Sequence, residues 1–365
     1  HLTQMVSNKY NLQISGGKQE MLTSWEDIAQ QLHREGVVLR SDARLIQDSR
    51  QLLPGDLFVA VRGTQQDGAK FIPQVLTKEV SVILVSDLCD SEHYQNIELA
   101  DSKLFVVKDL EARLPDVAKS FYLGNSAQLP VIGVTGTNGK TSISHMLAQM
   151  FRGDDGSEIA VVGTMGLGSI EALKPSSNTT PGVTDVYRLL RDFAEDTERD
   201  FSCTVMEVSS HALEQHRVRG VNFDAAIFTN LTLDHLDYHG TMEDYFLAKA
   251  KLFTDYAPNN AIVNLDDGYG RRLVAMVNSK SRLLVYGQNE DVKSFEEYVY
   301  IKSFKCKATG LEVELEWQLN GHKEQVRLNL PIYGEFNCSN LAAVFATAKA
   351  LDWHLPSCRF SRLSS

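Results

Sequence analysis

The residues best equipped for chemistry lie in V-I-G-V-T-G-T-N-G-K-T-S, residues 131–142. An apolar run passes into a turn with glycines at 133, 136 and 139, and the turn opens a helical stretch. Backbone N–H groups of such a loop, with the positive end of the helix behind them, cradle the phosphates of a nucleotide. Lys140 has the reach to meet the β and γ oxygens, and the Thr141 hydroxyl is placed to help coordinate Mg²⁺. Gly136, Thr137, Asn138, Gly139, Lys140, Thr141 and Ser142 are therefore the expected contacts of ATP. The spelling departs from G-x-x-x-x-G-K-[ST] at one position, where Val134 replaces a glycine. A bare G-K-T would read as a chance loop; the strand before it and the helix after it supply the context of a phosphate loop.

A loop of this kind needs a parallel sheet to hold it, and the sequence from Leu129 has that pattern. Val131–Val134, Ile159–Val162, Cys203–Val208, Ala225–Thr229 and Ala261–Asn264 are short β-rich runs. Helical stretches Ser142–Phe151, Thr184–Ala194 and Met242–Tyr256 alternate with them. The alternation predicts an α/β, P-loop-type central domain over 129–352, mostly parallel, with ligands at the strand C-terminal ends. Within it, E-V-E-L-E-W-Q-L, Asn320-Gly321 and Q-V-R-L-N-L predict an added β-hairpin in the region 298–330. A last helix is expected over Ser339–Leu351. Upstream, the capping serine of S-W-E-D-I-A-Q-Q-L and the runs Leu57–Val61, Val80–Val85 and Leu104–Val107 predict a small α/β domain over 23–128. The polar opening, residues 1–22, carries no signal-peptide apolar core and reads as a disordered lead-in.

Bulk composition narrows the partners. With 36 Lys and Arg against 47 acidic residues the formal charge is −11, which argues against nucleic acid as the main partner. A local phosphate pocket is compatible with an acidic protein. The five cysteines have no CxxC spacing, so neither a disulfide framework nor a thiolate zinc site is suggested and a reducing cytoplasm is the simplest reading. No apolar run approaches membrane-spanning length.

The variant T-G-T-N-G-K-T (135–141) is similar to the phosphate loop of the Mur ligases and of the folylpolyglutamate synthases. S-N-T-T-P-G (177–182), M-E-V-S-S-H-A-L-E-Q-H-R-V (206–218) and F-T-N-L-T-L-D-H-L-D-Y-H-G-T-M-E-D-Y (228–245) resemble the E-type Mur ligases, the UDP-N-acetylmuramoyl-tripeptide synthetases. D-S-R-Q-L-L-P-G-D-L-F-V-A-V-R-G (48–63) resembles that family's UDP-sugar-binding domain. The resemblance runs from about Asp48 to Leu351. It implies an ATP-dependent ligation in which the D-Glu side-chain carboxylate of UDP-MurNAc-L-Ala-D-Glu is phosphorylated. The amine of a diamino acid, meso-diaminopimelate or L-lysine, then attacks the acyl phosphate. A monomer in the cytoplasm, without membrane or nucleic acid, goes with that reading.

The resemblance also implies roles. Lys140, Glu207, His235 and Lys249 become the catalytic group. Thr141, Glu207, His235 and Lys249, the last as a carbamate, become the Mg²⁺ side of the site. Asn264 and Asp266 match the segment that contacts the base and ribose. Gln47, Ser49, Thr64, Gln65 and Gln66 upstream, with Asn178, Thr179, Thr180, Ser209, Gln215 and Arg217 in the central domain, match the UDP-sugar-peptide contacts. Each has a plainer alternative: a solvated strand-end glutamate, a loop histidine bonded to backbone, a solvated helix lysine, polar loop filler. His211, His216 and His239 near His235 raise zinc as an alternative, but phosphate-bound magnesium prefers oxygen ligands and keeps waters. The D-N-P-R motif that selects the diamino acid in the family occurs nowhere, and residues 353–365 lose the family pattern. The expectation is a chain truncated before a C-terminal ligase domain, able to bind ligands and impaired in ligation. The competing readings are a folylpolyglutamate synthase-like ligase and a non-catalytic module that holds UDP-MurNAc-peptide or ATP.

Overall fold

The computed structural model describes residues 21–353 except 64, 65, 100, 125, 127 and 154. The chain divides into two compact units, one running to Ser126 and including Val183–Arg188, the other comprising the remainder. In the first, helix α1 (Trp25–Arg34) starts where Ser24 and Asp27 satisfy each other's backbone N–H groups. Strands β1 (Leu45–Ile46) and β2 (Leu57–Ala60), helix α2 (Ile72–Leu76), strands β3 (Val82–Ser86) and β4 (Lys103–Val107) and helix α3 (Leu110–Tyr122) follow. The sheet is parallel throughout in the order β1-β2-β3-β4, and Leu22 adds a parallel bridge to Val107. Phe58, Ile83 and Val85 meet Ile72, Val75 and Tyr94 in its core. Strands buried on both faces are continuous apolar runs, as L-F-V-A and V-I-L-V-S are.

The second unit is built on strands β5 (Val131–Thr135), β6 (Glu158–Gly163), β7 (Gly166–Gly168), β8 (Phe201–Glu207), β9 (Ala225–Phe228), β10 (Asn260–Asn264), β11 (Arg282–Gly287), β12 (Tyr298–Lys307), β13 (Gly310–Leu319) and β14 (His322–Leu330). Its helices are α4 (Lys140–Met150), α5 (Val183–Ala194), α6 (Ser210–Glu214), α7 (Leu236–His239), α8 (Met242–Thr254), α9 (Gly268–Val274) and α10 (Phe336–Ala350), with α5 divided between the units. Among the described residues the strands form one sheet, β14-β13-β12-β11-β10-β9-β5-β8-β6-β7. Strands β12 through β6 are parallel; β7, β13 and β14 run antiparallel to their neighbours. The hairpin expected around Asn320-Gly321 is present, but it is no separate appendage: β12 pairs parallel with β11 and carries the same sheet outward. Alternate β13 residues Leu311, Val313, Leu315, Trp317 and Leu319 are buried, and Trp317 packs on Phe345 of α10 with ring centroids 4.9 Å apart.

Strand β5 lies between β8 and β9, so the chain leaves it at an interior crevice of the sheet. Loops after β5, β8, β9 and β10 all emerge at the C-terminal edge, where open α/β sheets bind their ligands. Among the described residues no helix is long and apolar enough to cross a membrane.

Candidate functional site

The loop after β5 opens α4 at Gly139, whose φ of 90° and lack of a side chain let the backbone turn into the helix without a side-chain cap. The first N–H groups of α4 are left to an anion or to water. The loop is fastened to the segment after β9. Thr137 N donates to Asn230 O at 2.9 Å and Asn138 N donates to Asn230 Oδ1 at 2.9 Å. Thr229 Oγ1 donates to Asn138 O at 2.6 Å, and Thr232 N donates to Thr137 Oγ1 at 3.0 Å. Gly136, at φ 147°, passes so close that a Cβ there would lie 1.8 Å from Thr229 Oγ1. Both glycines combine a positive φ with a close approach, Gly136 to Thr229 and Gly139 to Asn340 Oδ1.

Two lysine side chains converge on one carbonyl. Lys140 Nζ donates to Gly136 O at 2.8 Å and to Thr137 O at 3.0 Å, while Lys249 Nζ, from α8, donates to the same Gly136 O at 3.0 Å. Lys249 is 1% exposed, and its ammonium lies 4.7 Å from the Tyr245 ring centre. Burial, reinforced by the Lys140 charge, pushes Lys249 well below the ordinary lysine range. Burial also lowers Lys140, against the opposing pull of Glu207 and Asp234.

Glu207, at the end of β8, is fully buried. Thr141 Oγ1 donates to its carboxylate, lying 3.0 Å from both oxygens. A carboxylate and a threonine hydroxyl are oxygen donors suited to a hard cation that keeps waters and phosphate oxygens around it, so the pair fits Mg²⁺. His235 sits elsewhere in the network. It begins α7 at φ 51°, is half-exposed, and packs against His211 (5.1 Å between ring centres) and Tyr245 (6.0 Å). His239 completes this group through a 2.8 Å hydrogen bond with Ser210 Oγ. Burial, with the neighbouring histidines, lowers both His211 and His239. Among the described residues no three His, Cys, Asp or Glu side chains form a metal cage.

The remaining predicted residues fall into three groups. Thr180 Oγ1 donates to Glu207 O at 2.8 Å and accepts from Ser209 N at 3.0 Å, while Ser209 caps α6. Arg217 donates to Thr180 O (2.8 Å) and doubly to Gln215 Oε1 (3.0 and 2.6 Å), joining four of the predicted side chains into one wall. Thr179 touches Thr164, and Asn178 is exposed beside Ser177. Asn264 Nδ2 donates to Thr229 O at 2.7 Å, and the Asp266 carboxylate accepts from Gln288 N (2.7 Å) and Asn289 N (2.9 Å), so both are already fixing loop backbone. In the first unit Gln47 and Gln66 are exposed, and Ser49 is buried with its carbonyl accepting from Lys78 Nζ at 2.8 Å. Thr64 and Gln65 lie outside the described residues.

Two residues escaped the sequence reading. Thr164, in the β6–β7 turn, donates to Glu207 through both its N–H (3.1 Å) and its hydroxyl (3.2 Å). Asn340 of α10 places Oδ1 where a Cβ on Gly139 would come within 2.7 Å, against the phosphate loop. The only signal at Asn340 is its place immediately before the apolar run L-A-A-V-F-A (341–346); Thr164 has none, because a threonine in a turn is ordinary.

Comparison with known proteins matches this arrangement to a family. The Mur ligase family catalytic domain matches residues 45–122, and the Mur ligase middle domain matches residues 134–348. A Pseudomonas aeruginosa protein named UDP-N-acetylmuramoyl-L-alanyl-D-glutamate–2,6-diaminopimelate ligase is 39% identical, over 84% of this chain and 60% of its own length. The Coxiella burnetii protein of the same name is 36% identical, over 82% of this chain and 59% of its own length. A solved structure of a ligase of that name superimposes with a TM-score of 0.68 at 26% identity, covering 92% of this chain and 65% of that one. The MurF ligase of Thermotoga maritima, at 20% identity and TM-score 0.58, shares the fold. The chain thus spans about three-fifths of the length of these curated relatives. Both halves of the described structure match in order, and the chain belongs to the Mur ligase family.

Proposed function

We propose that this chain carries the nucleotide and UDP-sugar-peptide machinery of an ATP-dependent amide ligase acting on UDP-MurNAc-L-Ala-D-Glu. The observation that carries the reading is the Thr141–Glu207 contact at the mouth of a glycine loop that opens a helix. A D-Glu carboxylate oxygen attacks the γ-phosphorus of ATP, the bond to ADP breaks, and an acyl phosphate forms. An amine then attacks the acyl carbon, phosphate leaves, and the amine's proton passes to solvent. Crowding a carboxylate against a polyanionic nucleotide demands fixed positive charge, which Lys140 and the α4 N–H groups supply. Thr141, Glu207, His235 and Lys249 would hold Mg²⁺, which when bound neutralises phosphate charge. The desolvated Lys249 amine is suited to reaction with CO₂, the step that would make it an anionic ligand.

Asn264 and Asp266 would border the base and ribose. Asn178, Thr179, Thr180, Ser209, Gln215 and Arg217 would face the peptide and sugar, with Gln47, Ser49, Thr64, Gln65 and Gln66 taking the uridine diphosphate side. The names of the relatives support diaminopimelate as the incoming amine rather than L-lysine. A monomeric cytoplasmic enzyme, without nucleic-acid or membrane partners, completes the reading. Calorimetry with ATP and Mg²⁺ tests it. Lys140→Ala should weaken binding at least ten-fold, and equal affinity in both proteins would sink the assignment. A thermal shift with UDP-MurNAc-L-Ala-D-Glu, and none with a folate, separates this reading from a folylpolyglutamate synthase.

A further inference from the structure

The Glu207 carboxylate is fixed from a direction the phosphate loop does not supply. The β6–β7 turn runs beneath it so closely that a Cβ on Gly163 would lie 2.1 Å from Oε1. From that turn Thr164 N donates to Oε1 at 3.1 Å and Thr164 Oγ1 donates to Oε2 at 3.2 Å, so each oxygen is engaged separately. Thr141 Oγ1 stands 3.0 Å from both oxygens and distinguishes neither. The carboxylate can only accept, so the Thr164 proton is committed to Glu207. Thr164 Oγ1, 3.0 Å from Thr179 Oγ1, must then accept from Thr179. Protons therefore point one way, Thr179 to Thr164 to Glu207.

We infer that Thr164 is a positioning residue for the metal side of the site. It holds the Glu207 carboxylate in orientation when the Thr141 hydroxyl turns from Glu207 to a cation, and it ties that carboxylate to the 176–180 loop. The inference rests on the reading of Glu207 as a metal-side carboxylate. Hydrogen-bond partners of metal-binding carboxylates commonly contribute 10- to 100-fold in metal affinity, which sets the expected size.

The test measures Mn²⁺ uptake by paramagnetic resonance in the presence of ADP, and ADP affinity without metal by calorimetry, on the full chain. Thr164→Val should weaken Mn²⁺ uptake about ten-fold while metal-free ADP affinity stays within two-fold, and Thr164→Ser should restore uptake. A merely structural role would move both affinities together, or neither. Glu207→Gln supplies the separate check on the underlying reading and should lose Mn²⁺ uptake more severely. Wild-type uptake in Thr164→Val beside lost uptake in Glu207→Gln overturns the role of Thr164 alone. Wild-type uptake in Glu207→Gln, or no uptake by the unaltered chain, overturns both. Should Thr164→Val fail to fold, Thr164→Ala removes the same hydroxyl with less bulk, and wild-type uptake there counts equally against the inference.

Discussion

Lys249 poses an electrostatic problem, because its 1%-exposed amine shares the Gly136 carbonyl with that of Lys140. Burial is the larger influence and the Lys140 charge adds to it; both favour the neutral amine. The sign of the consequence follows from proton linkage. Between the depressed folded pKa and the ordinary 10.5, the unfolded chain holds a proton on Lys249 that the folded chain has released. The unfolded state binds more protons there, so this group makes stability rise with pH, levelling off above 10.5. In that window the slope from one group reaches at most about 1.4 kcal/mol per pH unit. Urea unfolding between neutral pH and pH 10, in CO₂-depleted buffer, should give a steeper rise for the wild type than for Lys249→Met. Parallel curves would mean that the lysine finds its proton as easily inside the fold as outside it.

Among elements, the β13–β14 hairpin was the most legible, and the reason lies in its turn. Asn320 and Gly321 adopt φ values of 50° and 77°, the left-handed pair that a two-residue loop between right-twisting strands requires. No atom lies within 4 Å of a Cβ built on Gly321, so Gly321→Ala would cost conformational strain alone, about 1–2 kcal/mol. Denaturant unfolding should register that loss while ADP affinity stays unchanged; a coupled fall in affinity would show that the hairpin supports the distant loop. Strand β11 lacks the alternation with a helical stretch that marks the other parallel runs, because only a single short turn of helix over Glu290–Ser294 separates it from β12. Strands β1 and β7 leave no strand signal in the sequence for a different reason: one has two residues, the other reads G-L-G. In the site, the phosphate loop was legible because strand, glycines and helix are contiguous. The Thr164–Glu207 contact joins residues 43 apart, and only the pairing of β6 with β8 brings them together. Glu207 itself was found through its motif, since a glutamate at a strand end is otherwise unremarkable.

For the molecule as a whole, the two chemical steps of the proposed ligation make different demands on it. On the proposed reading, phosphorylating the carboxylate falls to Lys140, Thr141, Glu207, His235 and Lys249, four of which gather around the Gly136 carbonyl and the Glu207 carboxylate. Forming the amide requires in addition an amine held about 3–3.5 Å from the acyl carbon, and such placement contributes about 7–11 kcal/mol to comparable reactions. The 365 residues span about three-fifths of the length of the relatives, and no segment of them matches the D-N-P-R motif associated with the amine. On the proposed reading, a polypeptide limited to these 365 residues is expected to bind ATP and UDP-MurNAc-L-Ala-D-Glu and to release phosphate slowly, water taking the place of the amine at the acyl phosphate. Phosphate and tripeptide measured in parallel, with diaminopimelate or L-lysine supplied, should differ by about 100-fold or more, the penalty associated with loss of reactant alignment. Equimolar tripeptide and phosphate would place amine alignment within these 365 residues.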